Sequence, residues 1–176
     1  VILERGELTL TVHHPVLVDE IVNVFLEVVD PHRLFWVLDC TVGSAGHSLA
    51  LLNACENLRI VGMDRDREAL TRSRERTSEF SDRIRFIKSN FADIDQILSS
   101  MFVDDHPQDP FFANLAERGM HFDFVLADLG ISSNQLEDNT RGFSFSGSGP
   151  LDMRMDQESQ LTAAMVLNDY ELKNLA

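Results

Sequence analysis

The chain has 176 residues, of which 44% are hydrophobic and 25% charged, and a net charge of −14. These values predict one globular domain, and no stretch approaches the roughly 18 apolar residues of a membrane-spanning helix. The acidic balance argues against a general nucleic-acid-binding surface, since binding to a polyanion depends on basic patches. Cys40 and Cys55 have no metal or redox spacing and the N-terminus has no signal-peptide features, so we expect a cytoplasmic protein without a metal site.

The first predicted helix follows a short segment at 8–12. Pro15 suits a helix start, and apolar residues at helical spacing from Leu17 to Val28 favour a helix there. Asp30 and Pro31 are expected to end it, because the residue before a proline avoids helical geometry.

Strands and helices then alternate. We predict strands at 35–39, 59–63, 84–88 and 122–127, and helices at 46–55, at 66–79, before Met101 and from Thr162. Residues 103–119 contain two prolines and mixed polarity, so they are expected to form an excursion outside the core. The alternation predicts an α/β protein with a doubly wound, mostly parallel sheet.

Polar or glycine-rich loops follow the four predicted strands. Because ligands of such sheets bind at the carboxyl edge, we expect these loops to converge on one site. They comprise residues 39–47, 64–66, 89–93 and 128–135.

The first of these loops carries the clearest ligand signal. A buried strand ends in Asp39, and a glycine turn (Gly43 to Gly46) leads into a helix whose free N–H groups would face a ligand. Asp64, at the tip of the second strand, is placed to accept hydrogen bonds from both ribose hydroxyls of a nucleoside. The alternative is a strand–helix–strand unit with a glycine turn and no ligand.

Two ligand classes fit this pattern, dinucleotides and S-adenosylmethionine. Asp39 would be unfavourable beside a pyrophosphate and favourable near the amino group and sulfonium of S-adenosylmethionine. Phe91 either packs on the adenine or anchors its loop in the core. The chemistry favours S-adenosylmethionine, and NAD is supported only by the glycine turn.

Seven of the fifteen basic residues lie between Arg65 and Arg85, interleaved with acidic ones. We interpret this stretch as a solvated helix face with local ion pairs. Residues 129–160 contain no long periodic segment, which is typical of a functional loop.

Several blocks together resemble one family, the MraW/RsmH methyltransferases, which use S-adenosylmethionine to methylate the N4 of cytosine in small-subunit ribosomal RNA. The similarity runs from about residue 13 to residue 156, and its last two blocks are the most specific. The blocks are His14-Pro15-Val16-Leu17, Asp39–His47, Asp64-Arg65-Asp66, Asp128–Ser133, Gln135-Leu136, Arg141–Phe145 and Gly149–Asp156.

The resemblance implies a Rossmann-like class I methyltransferase fold, with small-subunit ribosomal RNA within the assembled subunit as the expected partner. The chain departs from the family pattern at Ala45, where glycine is usual, and at Asn134, where proline is common. By resemblance the cofactor contacts fall on Ala45, Gly46, His47, Asp64, Phe91, Asp128 and Gln135.

The resemblance also implies a domain division. Residues 1–160 would form the N-terminal part of the S-adenosylmethionine-binding core, with four strands of an incomplete sheet and the fourth strand at an open edge. Residues 161–176 would begin a helical inserted domain and be truncated. We therefore expect little methyl transfer by this chain, and a truncated or non-catalytic S-adenosylmethionine- or nucleotide-binding module is the alternative function. The oligomeric state is left open.

Three further roles stay open at this stage. Asp128 either accepts hydrogen bonds from the cytosine amine as the candidate catalytic group or faces only the cofactor. His47 contributes either its backbone N–H or a chemical role. Phe143 and Phe145 either stack on RNA bases or plug the core beneath a long loop.

Overall fold

The computed structural model of the chain describes residues 15–30, 32–103 and 109–175. The predictions for residues 8–12 and for Pro31 lie outside the described residues. Within the described ranges, no helix is both long and apolar enough to cross a membrane.

The described strands form one parallel sheet in the order β3-β2-β1-β4, which confirms the predicted α/β fold. The strands are β1 (Phe35–Asp39), β2 (Leu58–Asp64), β3 (Ile84–Lys88) and β4 (Phe124–Leu126). All five residues of β1 are buried, as expected for a central strand covered on both faces. β4 is an edge strand of only three residues, shorter than the predicted 122–127.

The helices also follow the predicted order. The charged helix ends at Arg76, three residues early, and a 3₁₀ turn at Ser78–Phe80 takes up the rest of the predicted length. The other 3₁₀ turns are Phe91–Asp93 and Asn139–Arg141. The α-helices are α1 (Val18–Val28), α2 (Gly46–Ala54), α3 (Arg67–Arg76), α4 (Ile94–Val103), α5 (Pro110–Glu117), α6 (Ser133–Glu137), α7 (Ala163–Asp169) and α8 (Leu172–Leu175).

Alternate residues of the strands face opposite sides of the sheet, so two apolar cores form. On one side, Phe25 of α1 packs edge-on against Phe35 and Phe124, at centroid distances of 6.1 and 5.7 Å. On the other side, Trp36 packs edge-on against Phe111 of α5 at 5.0 Å. Both faces of the central strands are therefore covered by helices.

Helix α5 shows that the prediction for residues 103–119 is wrong in the part that the structure describes. Phe111 and Leu115 are buried in the core beside Trp36. The Asp109 side chain caps the helix by accepting from the Phe111 N–H, and Pro110 occupies a first-turn position, where its missing N–H does no harm. The proline begins this helix and does not mark an excursion.

Candidate active site

Three hydrogen bonds join the loops at the carboxyl edge of the sheet. The Gly43 N–H donates to Asp64 Oδ2 at 2.9 Å, and the Ser89 N–H donates to the Asp64 carbonyl oxygen at 3.0 Å. The Asp128 N–H donates to Thr41 Oγ1 at 2.7 Å. The loops that follow β1, β2, β3 and β4 therefore meet at one place, as the sequence predicts.

The glycine turn reaches α2 through two residues with left-handed backbone, Gly43 (φ 53°) and Ala45 (φ 59°). Ala45 is fully buried, and as the N-cap residue of α2 it offers no side-chain hydrogen bond to the helix start. Gly46 has a packing reason of its own, since a Cβ there would lie 2.3 Å from the Pro15 ring. The segment just before α1 therefore packs directly against the first turn of α2.

Asp39 lies buried beneath this turn. Its Oδ2 accepts from Ser48 Oγ at 2.6 Å, and its Oδ1 accepts from the Thr41 N–H at 3.2 Å. Burial raises the pKa of Asp39 to about 6, although the hydrogen bonds from Ser48 and Thr41 oppose the rise. Its carboxylate is thus held by protein donors, where the sequence analysis expected it to face the ligand.

Asp64 is oriented by two backbone donors. Besides the bond from Gly43, its Oδ1 accepts from the Asp66 N–H at 2.9 Å. Burial raises the pKa of Asp64 against these bonds. Each carboxylate oxygen can accept more than one hydrogen bond, so this geometry leaves capacity for donors such as ribose hydroxyls.

A buried ion pair lies directly behind Asp64. Arg141 Nη2 lies 2.9 Å from Asp66 Oδ2, and both side chains are almost fully buried. The Gln135 amide donates to the same Asp66 oxygen at 3.2 Å. Burial alone would raise the pKa of Asp66, but the hydrogen bonds from Gln135 and Arg141 outweigh it and lower that pKa. Asp66 is therefore held as a carboxylate at the hub of this network.

Arg141 also links the two segments that follow α6, residues 139–145 and 149–156. Arg141 Nη2 donates to the carbonyl oxygens of Arg154 and Met155 at 3.1 and 2.9 Å. Gly142 has φ 73°, and a Cβ there would lie 2.1 Å from the Pro150 carbonyl oxygen. The segments 139–145 and 149–156 thus pack backbone to backbone as one unit on Asp66.

The far end of this unit is tied to the tip of β3. Lys88 forms ion pairs with Asp156, at 3.1 Å, and with Glu158. Arg67, at the start of α3, also pairs with Glu158, at 2.7 Å. Residues 141–158 therefore return across the carboxyl ends of β2 and β3.

A chain with this sheet and these loops can be compared with known proteins. The sequence profile of the MraW methylase family matches residues 10–176. The chain belongs to this family.

Curated relatives support the same assignment, and each is named ribosomal RNA small subunit methyltransferase H. The protein of Thermotoga neapolitana is 36% identical over 164 residues, which cover 93% of this chain and 48% of the relative. Those of Picosynechococcus and Campylobacter curvus are 41% and 39% identical, covering 79% and 93% of this chain and 41% and 46% of the relatives. The MraW-family chain thus spans about half the length of the curated relatives it matches.

The predicted cofactor residues of this MraW-family chain occupy three of the joined loops and a short turn. Ala45, Gly46 and His47 form the start of α2, while Asp64 ends β2. The His47 ring is buried and its Nε2 lies 2.8 Å from the Val16 carbonyl oxygen, to which it donates. The ring therefore ties the segment before α1 to α2, which favours the backbone N–H of His47 as its candidate ligand contact.

Phe91, Asp128 and Gln135 differ in exposure. Phe91 lies in the turn after β3 with 40% of its surface exposed, which argues against an anchor in the core. Asp128 is exposed beyond the end of β4. The Gln135 side chain is buried, and its Oε1 accepts from the Ser132 N–H while its amide reaches Asp66. Contact of all these residues with a cofactor stays a prediction.

The two phenylalanines of the 139–145 segment differ in solvent exposure. Phe143 is 7% exposed and plugs the space beneath the loop. Phe145 is fully exposed. Of the two open roles, core plug therefore describes Phe143, and only Phe145 has a ring free to stack.

The sequence alone indicates no individual role for Asp66, Ser48 or Arg141. An Asp at the start of a predicted helix is a capping signal, and Asp66 does cap α3, which begins at Arg67, by accepting from the Glu68 N–H. Nothing in local spacing predicts that Arg141 reaches it, because the two residues are far apart in the chain.

Proposed function

We propose that the joined loops bind S-adenosylmethionine, and that the family enzyme to which this chain corresponds transfers the methyl group to the N4 of a cytosine in small-subunit ribosomal RNA. The observation that carries the proposal is Asp64. Its carboxylate stands at the tip of β2, held by the N–H groups of Gly43 and Asp66, close to the start of α2, whose N-cap residue is Ala45.

The character of this edge favours S-adenosylmethionine over a dinucleotide. Asp39 and Asp64 both lie beneath or beside the glycine turn, and burial raises the pKa of each. A pyrophosphate there would add negative charge beside two carboxyl groups whose ionisation the site already disfavours. A ligand with an ammonium and a sulfonium would compensate these acids, while Asp64 accepts from its ribose and Phe91 offers a ring to its adenine.

Asp128 is the group we propose for the substrate side. Cytosine N4 is a weak nucleophile because its lone pair is delocalised into the ring. An exposed acceptor beyond β4 can take hydrogen bonds from the amine hydrogens and favour a pyramidal nitrogen. S-adenosylmethionine supplies an electrophilic methyl group on sulfur. Holding amine and methyl in line is worth on the order of 7–11 kcal/mol of barrier.

The target RNA in this proposal is supported by the relatives' shared name and by the specific blocks 141–145 and 149–156. A cofactor-binding module without transfer activity is the second candidate, and the net charge of −14 favours it. The two differ in one outcome, methyl transfer to RNA.

Calorimetry tests the cofactor. We expect the chain to bind S-adenosylmethionine and give no heat with NAD. Asp64→Ala should weaken binding by roughly 1.5–3 kcal/mol, the range for a hydrogen bond to a charged group, and Asp64→Asn should weaken it less. Asp169→Ala, an exposed acid at the end of α7, is the control. Binding of NAD alone would contradict the proposal, and unchanged affinity in Asp64→Ala would show that the ribose is held elsewhere.

Tritiated methyl incorporation tests the transfer. The Thermotoga neapolitana relative serves as the comparison, with small-subunit ribosomal RNA and assembled subunits as substrates. We expect this chain to transfer far less than that relative while still binding the cofactor. Equal transfer by both would contradict the expectation and place the complete reaction within residues 1–176.

A further inference from the structure

Charge is distributed very unevenly along the chain. Residues 65–88 contain eight of the fifteen Lys and Arg residues and five of the 29 Asp and Glu residues, a net charge of +3. The remainder of the chain carries −17. A polyanion would therefore be repelled by most of this protein and attracted to α3 and the start of β3.

Carboxylates neutralise only some of the arginines of this region, since Arg67 and Arg85 pair with Glu158 and Asp109. Within α3, Arg72 pairs with Glu68 at 3.7 Å, and that is the one ion pair inside the helix among the described residues. Arg74, Arg76 and Arg83 have no carboxylate within 4 Å in the described part of the chain. Instead, Arg76 Nη1 donates to the Ser44 carbonyl oxygen at 2.8 Å, and Arg83 Nη1 to those of Cys55 and Glu56.

Two of these arginines are exposed on α3 and lie beside an aromatic ring or the glycine turn. Arg74 lies over the Phe86 ring at 5.7 Å. Arg76 contacts Ser44, next to Ala45 of the glycine turn, so this surface borders the candidate active site. A cavity of about 390 Å³ opens beside Arg74, between the end of α3 and the start of β3, lined by Arg74, Thr77, Ser81, Ile84, Arg85 and Phe86.

We propose that this arginine face, formed by Arg74, Arg76 and the cavity beside them, holds phosphates of the RNA substrate. The inference rests on the proposed function and adds the surface along which the RNA backbone runs. Guanidinium groups bind phosphate oxygens bidentately, and within the described residues no carboxylate pairs with Arg74 or Arg76, whereas Arg85 of the cavity is already paired with Asp109.

The positive charge of this face would attract RNA and an acidic protein alike, but stacking favours RNA as the occupant. A single strand presents a phosphate at each nucleotide and bases that can stack on rings and guanidinium planes. On this face the exposed guanidinium of Arg74, which lies over the Phe86 ring, supplies such a stacking plane.

The test is fluorescence anisotropy of a labelled single-stranded RNA oligonucleotide across a salt series. The test variant is Arg74→Gln/Arg76→Gln, and Arg74→Gln alone is a second variant that leaves the contact to Ser44 in place. Arg33→Gln/Lys173→Gln removes the same charge from exposed side chains that already pair with Asp123 and Glu171.

We expect the test variant to lower the magnitude of the salt slope by about 1.4, at about 0.7 per phosphate contact of a single strand. This corresponds to about 25-fold weaker binding at 0.1 M salt, if the electrostatic contribution vanishes near 1 M. Arg74→Gln alone should show about half the change in slope, and the charge-matched control should bind like the parent.

Three results would overturn the inference: equal binding by the test variant and the control, no RNA binding by the parent chain, or equal competition by polyglutamate and by unlabelled RNA. Calorimetry with S-adenosylmethionine on the same preparations separates the two proposals. If the parent chain binds S-adenosylmethionine but not RNA, only the inference about the arginine face is overturned. If the parent binds RNA, the test variant does not, and neither binds S-adenosylmethionine, the proposed function is overturned instead.

Discussion

Two regions of this protein are held together by different forces. Residues 35–88 form three strands whose side chains are buried between helices, with Trp36, Val37 and Ile60 almost completely buried. Residues 128–158 place little apolar surface in a core. They are held by the ion pair of Asp66 with Arg141, by the bonds of Lys88 and by close backbone contacts at Gly142.

The difference matters for how each region responds to change. An apolar core tolerates loss of one contact in proportion to the volume removed. A buried polar network fails more sharply, because removing one partner leaves another desolvated charge uncompensated. We therefore expect the loop over the candidate active site to depend on very few residues.

The largest effect should come from Arg141→Leu. It leaves Asp66 buried without its cation, which costs about 3–5 kcal/mol of unfolding free energy. Chemical denaturation measures this loss, with Arg65→Leu, an exposed arginine between Asp64 and Asp66, as the control. Asp66→Asn combined with Arg141→Leu should recover part of the stability, and a double variant less stable than Arg141→Leu would show that the ion pair is not the cause.

Leu115→Ala tests the apolar region. Leu115 is fully buried beside Trp36, so truncation should cost about 3 kcal/mol in the same denaturation experiment. Leu129, which is 70% exposed, gives a matched Leu→Ala control with little expected change. Similar small effects for both would mean that α5 does not pack on the sheet.

The stability difference between Asp39→Asn and the parent should change with pH by nearly as much as Leu115→Ala changes stability. The folded-state pKa of Asp39, about 6, lies above its ordinary value of 3.8, so the folded protein binds an extra proton between these values. The contribution of Asp39 to stability is therefore highest at low pH and falls as the pH rises through 6.

Because Asn does not titrate, the stability of Asp39→Asn relative to the parent should rise by up to about 3 kcal/mol from about pH 4 to about pH 7. Asp64 titrates in both proteins, so its contribution largely cancels. Thermal or urea unfolding across this pH range measures the difference. A difference that is independent of pH would show that Asp39 ionises normally in the folded chain.

A smaller effect is expected from Gly142→Ala. Its φ of 73° and the nearby Pro150 carbonyl oxygen should cost about 1–3 kcal/mol through strain and displacement of the 149–156 segment. Gly130→Ala is the control, because a Cβ there meets nothing within 4 Å. Equal stability of the two variants would mean that the segments are not packed backbone to backbone.

The same two regions show what sequence can predict. The bounds of β1 agree with the prediction because a continuous apolar run between turns marks a buried strand. Those of β3 agree as well, although Arg85 and Lys88 interrupt its apolar residues and most of the strand is only partly buried. Helix α5 was missed because Pro110 was counted as a breaker, although proline is favourable in a first turn. The role of Arg141 was missed because it depends on a contact with Asp66 that only the folded chain brings together.

The central claim is that four loops from distant parts of the chain form one binding site for S-adenosylmethionine. Hydrogen exchange with and without this ligand tests it most directly, because ordering by a ligand slows exchange of the backbone it contacts. We predict simultaneous protection in segments 41–48, 64–67, 89–93 and 128–136. Protection confined to the glycine turn, or absent from all four segments at saturating ligand, would contradict the claim.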